Sequence, residues 1–283
     1  QPDDTRVREV VGSIQLSTGA TQQALSTYGR LVGMQPQSAK ALAQLAYAEA
    51  VSDQPARASA SLRKAIAIQP NLLDAHLALS AVELSAGRLV ESLKAAQKAQ
   101  KLAPKSAAGF MAEGDVRMAE RKYAQAMTSY ETAYAISKSG TVLVKLHEAS
   151  LQTGNAHGLD KQLDKALEDS PHDDVVRRYV ADLRMKDGKF RDAIRHYETL
   201  LKNHPNEAQW LNNLAWAYAQ VGDARALETA ERAYRLSPEN PAILDTLGWM
   251  LTQGQDPKRG RELLQKAVTA APKAPEFRYH LAQ

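Results

Sequence analysis

Leu211-Asn212-Asn213-Leu214-Ala215-Trp216-Ala217-Tyr218 opens a unit that continues through Gly222-Asp223, Ala226, Ala230 and Ala233 to Pro238. The pattern restarts at Leu244-Asp245-Thr246-Leu247-Gly248-Trp249 and runs through Gly254 and Ala267 to Pro272. Large and small apolar residues recur three and four apart, the period of one helix face. The glycine parts each unit into two helices. The proline ends the second helix, because it has no N–H to give to the carbonyl four residues back. Upstream, prolines stand at 36, 70, 104, 171 and 205 as well as 238 and 272, with spacings of 34, 34, 67, 34, 33 and 34. The 67 is two units in which Lys138 holds the place of the missing proline.

This period divides the chain into units at about 5–38, 39–72, 73–106, 107–139, 140–173, 174–207, 208–240 and 241–274, with a partial or capping helix at 275–283. Six of the eight units carry a large-small pair in the first helix: Val11-Gly12, Leu45-Ala46, Leu79-Ser80, Val180-Ala181, Leu214-Ala215 and Leu247-Gly248. The small residue lets a neighbouring helix approach. Gly19, Gly87, Gly154, Gly188, Gly222 and Gly254 are expected to end the first helices in a left-handed cap. In Pro238-Glu239-Asn240-Pro241, Asn240 is placed to cap the next helix, with Pro241 at its first turn. Two hairpin helices cannot bury their apolar faces alone, so the units must stack. Glu113 stands where a large apolar residue is usual and His147 where a small one is. Both flank the missing proline, so the junction at about 113–147 is either the bent or weak point of the array or ordinary drift between repeats. Ser139-Gly140 is its remaining turn signal.

A 34-residue period with helix–turn–helix patterning resembles the tetratricopeptide repeat. The resemblance spans essentially the whole chain. It implies an all-α fold: one right-handed superhelical solenoid of about eight repeats over residues 1–283, with the first helix of each repeat lining a concave face.

Composition narrows the chemistry. The chain has no cysteine, so disulfides, thiolate metal sites and cysteine nucleophiles are excluded. A net charge of +4 is a mild surplus and not the footprint of a nucleic-acid binder. No run of about 18 apolar residues offers a membrane span. The start, Gln1-Pro2-Asp3-Asp4, reads as a processed or trimmed end. Phosphate-binding glycine loops, a His-Glu-x-x-His pair and a Gly-x-Ser-x-Gly elbow are absent, and the histidines at 76, 147, 157, 172, 196, 204 and 280 do not pair at helical spacing. Asp173-Asp174 reads as a helix cap, not a catalytic pair. Neither an enzyme nor a cofactor is expected.

What remains is a surface. The position after the small residue reads Ser13, Tyr47, Ala81, Asp115, Glu148, Asp182, Trp216 and Trp249. On the solenoid that the resemblance implies, these form a ladder along the groove, acidic in the middle and aromatic at the C-terminal end. Met111, Met118, Met185, Arg178, Tyr179, Asn212, Asn213 and Asp245 are expected beside it. The candidate binding residues are therefore Tyr47, Asp115, Glu148, Arg178, Tyr179, Asp182, Asn212, Asn213, Trp216, Asp245 and Trp249. Aromatic rings in a groove give large contact area at low entropy cost. The acids would favour an extended peptide, or one bearing Lys or Arg. The rings equally suit stacking on a polysaccharide, and they could instead fill space between repeats. Trp210, early in its helix, reads as packing. Some relatives clamp a free C-terminal carboxylate with paired Lys and Asn; Arg178 and Asn213 match parts of that clamp, while Asp182 and Thr246 do not.

The Leu-Asn-Asn-Leu-Ala-Trp and Leu-Asp-Thr-Leu-Gly-Trp blocks further resemble the C-terminal repeats of bacterial envelope tetratricopeptide lipoproteins associated with exosortase (PEP-CTERM) sorting and exopolysaccharide systems. That resemblance implies a protein-interaction scaffold in the periplasm, or anchored through an N-terminal lipid outside this sequence. The other readings are a carbohydrate-binding guide for exported polysaccharide and a cytoplasmic adaptor.

Overall fold

The structure is a computed structural model that describes residues 4–154, 158–254 and 256–283. The start read at Gln1-Pro2-Asp3 and His157 of the histidine scan lie outside the described residues. Among those residues there are 17 helices and no strand, so the all-α expectation holds. Contacts divide the chain into two compact units, Gln1–Asp160 and Lys161–Gln283, each described here by itself.

The first unit contains α1 (Thr5–Ser17), α2 (Thr21–Met34), α3 (Ala39–Val51), α4 (Pro55–Ile68), α5 (Leu73–Ser85), α6 (Leu89–Leu102), α7 (Ala107–Ala119), α8 (Tyr123–Ser137) and α9 (Gly140–Thr153). Successive helices pair as hairpins, and each hairpin packs on the next. The next helix, α10 (Leu159–Asp169), crosses the division. The second unit contains α11 (Asp174–Lys186), α12 (Phe190–Asn203), α13 (Ala208–Gln220), α14 (Ala226–Leu236), α15 (Pro241–Thr252), α16 (Pro257–Ala270) and α17 (Pro275–Ala282). Here α11/α12, α13/α14 and α15/α16 are hairpins, and α17 packs on α15 and α16.

The sequence signals act where they stand. Each of the seven spaced prolines falls two residues beyond a second helix, as Pro36 does after Met34. Side chains of Ser38, Asp173 and Asn240 accept from backbone N–H groups of the helices they precede, supplying partners that the first turn lacks. This is the capping read for Asp173 and Asn240. Where the proline is missing, Lys138 ends α8 in the left-handed conformation at φ 51°. The hairpin turns use the same conformation at Gly19, Gly87, Gly154, Gly188 and Gly222, and Asp53 and Arg121 adopt it without being glycine. Gly254 does not, which corrects the cap expected there.

Cores are alanine-rich, with a few large side chains. In the first unit Ala39, Leu42, Ala58, Leu62, Ala75 and Leu79 share one cluster. In the second, Ala181, Ala193, Tyr197, Leu200 and Leu214 share another. Small residues let helix axes approach, and each fully buried Leu contributes roughly 1.5–3 kcal/mol. The segment read as a weak junction is itself packed: Ala126, Tyr130, Ala133, Val142, Leu146 and Ala149 join α8 and α9 in one cluster. Glu113 sits between Arg117 at 3.3 Å and the Gln100 amide at 2.6 Å. His147 is buried, with Asp160 Oδ1 3.0 Å from its Nε2. The division of the chain falls beyond this segment, at Asp160 and Lys161.

Candidate functional site

The small residue of a first helix makes room for a tyrosine sixteen residues later. A Cβ on Gly12 would come within 2.5 Å of the Tyr28 ring, and one on Gly114 would overlap the Tyr130 ring. Ala181 and Tyr197 hold the equivalent places in the second unit, both fully buried. In two of these repeats the tyrosine hydroxyl reaches the ladder residue beside the small one, whereas the Tyr28 hydroxyl faces the Glu9 carbonyl at 3.5 Å. Tyr130 donates to Asp115 Oδ1 at 2.6 Å, and Tyr197 donates to Asp182 Oδ1 at 2.5 Å. Burial, and then the neighbouring carboxylate, raises both tyrosines well above the usual phenol range.

These pairs correct the expected acidic run. Asp115 also binds Lys145 Nζ at 2.8 Å, and Asp182 binds Arg178 Nη1 at 3.4 Å. Each acid already has a cation and a hydroxyl, so neither offers a free charge to a basic partner. Glu148 is the ladder acid that stands exposed. Tyr47 is also exposed, at 61%. It borders a cleft of about 600 Å³ with Leu16, Ala43, Val51, Leu72 and Ala78. Met111 and Met118 pack against the first unit's core, and Met185 against the second's, so they contribute little groove surface.

In the second unit, Asn213 donates to the Tyr197 hydroxyl at 3.1 Å and accepts from Gln209, while Tyr179 beside Arg178 is half-buried. Trp210 meets His204 edge-on at 5.5 Å between centroids, the packing role read for it. Trp216 and Trp249 are half-buried and together border a cleft of about 370 Å³ with Ala219, Gln220, Leu227, Met250 and Gln253. Asn212 and Asp245 were expected on the groove surface and are instead buried, each 6% exposed. The group that meets Asp245 is His280 of α17. Its ring stacks on Trp249 at 4.7 Å and 28°, and lies 6.1 Å from Trp216. Its Nδ1 is 2.8 Å from Asp245 Oδ2. Burial raises the Asp245 carboxyl above its ordinary pKa, and the His280 hydrogen bond opposes that rise.

Sequence reading thus missed Tyr130, Tyr197 and His280 as site residues. A usable signal existed for the tyrosines, because Tyr follows the ladder acid by fifteen residues in both units. No spacing rule could have found His280, whose contact depends on how α17 docks. Among the described residues, no group of three or more His, Asp or Glu is arranged to hold a metal ion. No helix there is long and apolar enough to cross a membrane.

Stacked two-helix repeats with a large-small pair, a buried tyrosine and a closing proline define a class of helical-repeat protein, and comparison with known families agrees. Residues 181–241 and 223–275 match the model of the tetratricopeptide repeat family. The Cut9 and Hcn1 hetero-tetramer structure of the APC/C aligns with TM-score 0.64 at 15% identity, over 93% of this chain and 52% of that one. Yeast Tom70 aligns with TM-score 0.67 at 15% identity, over 93% and 57%. A tetratricopeptide repeat protein from Parabacteroides merdae aligns with TM-score 0.59 at 19% identity, over 87% and 98%. The chain therefore spans just over half the length of the first two. At these identities the likeness concerns the fold, which is the tetratricopeptide-repeat solenoid. A search of curated proteins by sequence finds no match.

Proposed function

We propose that the chain is a non-catalytic scaffold that binds an extended protein segment against the first-helix faces of its repeats. The observation that carries this reading is the pair of half-buried rings, Trp216 and Trp249, bordering one cleft. Rings held by a rigid repeat offer apolar area without an ordering cost, and tryptophan is prominent among residues that dominate binding energy. Among the other candidates, Tyr47 and Glu148 are the exposed positions on the first unit's helices. Arg178, Tyr179 and Asn213, on α11 and α13, are the rim contacts of this reading, while Asp115 and Asp182 serve to hold their repeats. The setting we propose is bacterial envelope protein sorting or exopolysaccharide secretion, in the periplasm or at a membrane through a lipid anchor. It rests on the resemblance of the Leu-Asn-Asn-Leu-Ala-Trp and Leu-Asp-Thr-Leu-Gly-Trp blocks.

The test is tryptophan fluorescence in a Trp210→Phe background, so that only Trp216 and Trp249 report. Iodide quenching and titration with extended peptides should reveal accessible, ligand-sensitive rings. Rings that neither iodide nor any peptide touches would reduce the pair to core. Oligosaccharides serve as the second arm, because the same rings suit sugar stacking. A response to oligosaccharide alone, unchanged by salt, would move the reading to polysaccharide guidance.

A further inference from the structure

The surface around Trp249 holds a feature that general groove binding does not explain. Asp245 is a carboxylate buried in an apolar repeat, and its Oδ1 has no hydrogen-bond partner among the described residues. Asn212, the equivalent residue one repeat earlier, likewise has a buried Oδ1 without a partner. A buried acceptor left unpaired is costly, so two at adjacent repeat positions call for donors. The group that does approach, His280, serves one oxygen only. An imidazole carries its two nitrogens on diverging edges, so it cannot meet both oxygens of one carboxylate. A guanidinium can, because it presents two parallel N–H groups in one plane. The same plane stacks on an aromatic ring, and stacking on Trp249 is what His280 already does.

The element bearing His280 is lightly held. No residue of α17 is buried, and its N-cap, Ala274, provides no side-chain hydrogen bond. Phe277 packs partly against the last repeat's core, and Tyr279 stands 61% exposed. The contact combines a stacked ring with a hydrogen bond to a buried acid, on a helix none of whose residues is itself buried. Such a contact can be exchanged for a better one at modest cost.

We propose that Asp245 and Trp249 form a reading site for an arginine side chain of the partner segment, and that His280 of α17 occupies this site in cis. The inference rests on the groove reading above and adds two things to it: the chemical identity of the recognised residue, and a built-in competitor. Lysine is the inferior ligand here. Its ammonium is a point charge that neither stacks nor spans both oxygens.

The probes are N-acetyl-arginine amide, with N-acetyl-lysine amide and N-acetyl-citrulline amide as controls. They are titrated against the full chain in the Trp210→Phe background, with and without His280→Ala. Citrulline keeps the planar shape and loses the charge. The expected result is saturable quenching by the arginine probe alone, at least tenfold tighter after His280→Ala, and abolished by Asp245→Asn. Far-ultraviolet circular dichroism melts confirm that each variant is folded, and a His280→Gln variant repeats the test should the alanine variant melt early. Equal responses to arginine and lysine, or an arginine affinity indifferent to residue 280, would overturn the proposal. A peptide that perturbs Trp216 and Trp249 equally with arginine or citrulline also overturns it and leaves the groove reading standing. Silence toward every peptide and probe removes both.

Discussion

The tyrosine–aspartate pair in the first unit and its counterpart in the second begin identically and end differently. In both, a buried tyrosine on a second helix donates to an aspartate on the first helix of its own repeat. In the first unit the next repeat is tied in through the acid: Lys145 of α9 reaches back to Asp115. In the second unit the next repeat is tied in through the phenol: Asn213 of α13 donates to the Tyr197 hydroxyl, and the cation on Asp182 comes from Arg178, one turn earlier on the same helix. The repeat thus fixes the pair, while the neighbour chooses which end of it to grip. A residue on the first-helix face is groove only where no neighbour grips it.

The largest effect expected on this comparison comes from the residue that seats the tyrosine. Gly114→Val should destabilise the protein by about 1–3 kcal/mol, because even a Cβ there meets the Tyr130 ring. Ala181→Gly, at the equivalent place beside Tyr197, should cost only about 1 kcal/mol of helix propensity. Urea melts of the two variants decide it, and equal losses would break the equivalence of the two seats.

Next come the hydroxyls. Tyr130→Phe and Tyr197→Phe should each cost about 1 kcal/mol, since a half-buried carboxylate loses one donor and keeps its cation. The pH dependence has a definite sign. Both phenols have folded pKa values raised above the ordinary 10. Their contribution is therefore complete below pH 10 and is lost as pH rises above that value. A double Tyr→Phe variant should show a flatter alkaline loss of stability than the parent. An unchanged alkaline slope would mean that the hydroxyls are solvated in the folded state.

Smaller still is the backbone effect at the repeat lacking its proline. Lys138→Gly should stabilise by about 0.5 kcal/mol, because a left-handed residue with a Cβ is strained, although glycine gives back part of the gain through the unfolded chain. Gly188→Ala, in the same conformation, should destabilise by about 1 kcal/mol. Opposite signs in thermal melts support the reading, and matching signs refute it.

The smallest effect is electrostatic and exposed. The Arg225 guanidinium beside Asp223 holds that carboxyl down to about 2. Its contribution is present above the ordinary 3.8 and fades as pH falls through 2. Asp223→Asn should lower stability slightly at neutral pH, leave it unchanged near pH 1.5, and so flatten the acid limb, as measured by melts between pH 1.5 and 7.

Much of this was legible from residue types and spacing. The helix ends, the hairpin period and the small-residue seats follow from local chemistry: proline lacks a donor, Asn and Asp cap, and glycine admits a neighbour. Even the irregular place was visible, since Lys138 stands where the proline is missing. Its remedy was not visible, because nothing local distinguishes a lysine that turns left-handed from one that does not. The acidic ladder was read as open charge because spacing reports which face a residue occupies and not what meets it there. Asp115 lies on the face assigned to it, yet Lys145, which meets it there, lies thirty residues away in the next repeat.

The amino-acid sequence therefore determined the elements, their period and the face each residue shares, because these depend on backbone chemistry within one or two turns. Exposure was decided by docking. Asp245 and Asn212 occupy equivalent positions on α15 and α13 and are both buried, and Asp245 meets His280 of α17, thirty-five residues along the chain. Whether Trp249 meets solvent, a partner or His280 is settled by the packing of α17, a helix with no buried residue of its own. That packing depends on the balance of one stacked ring and one hydrogen bond against solvent, and no spacing along the chain encodes it.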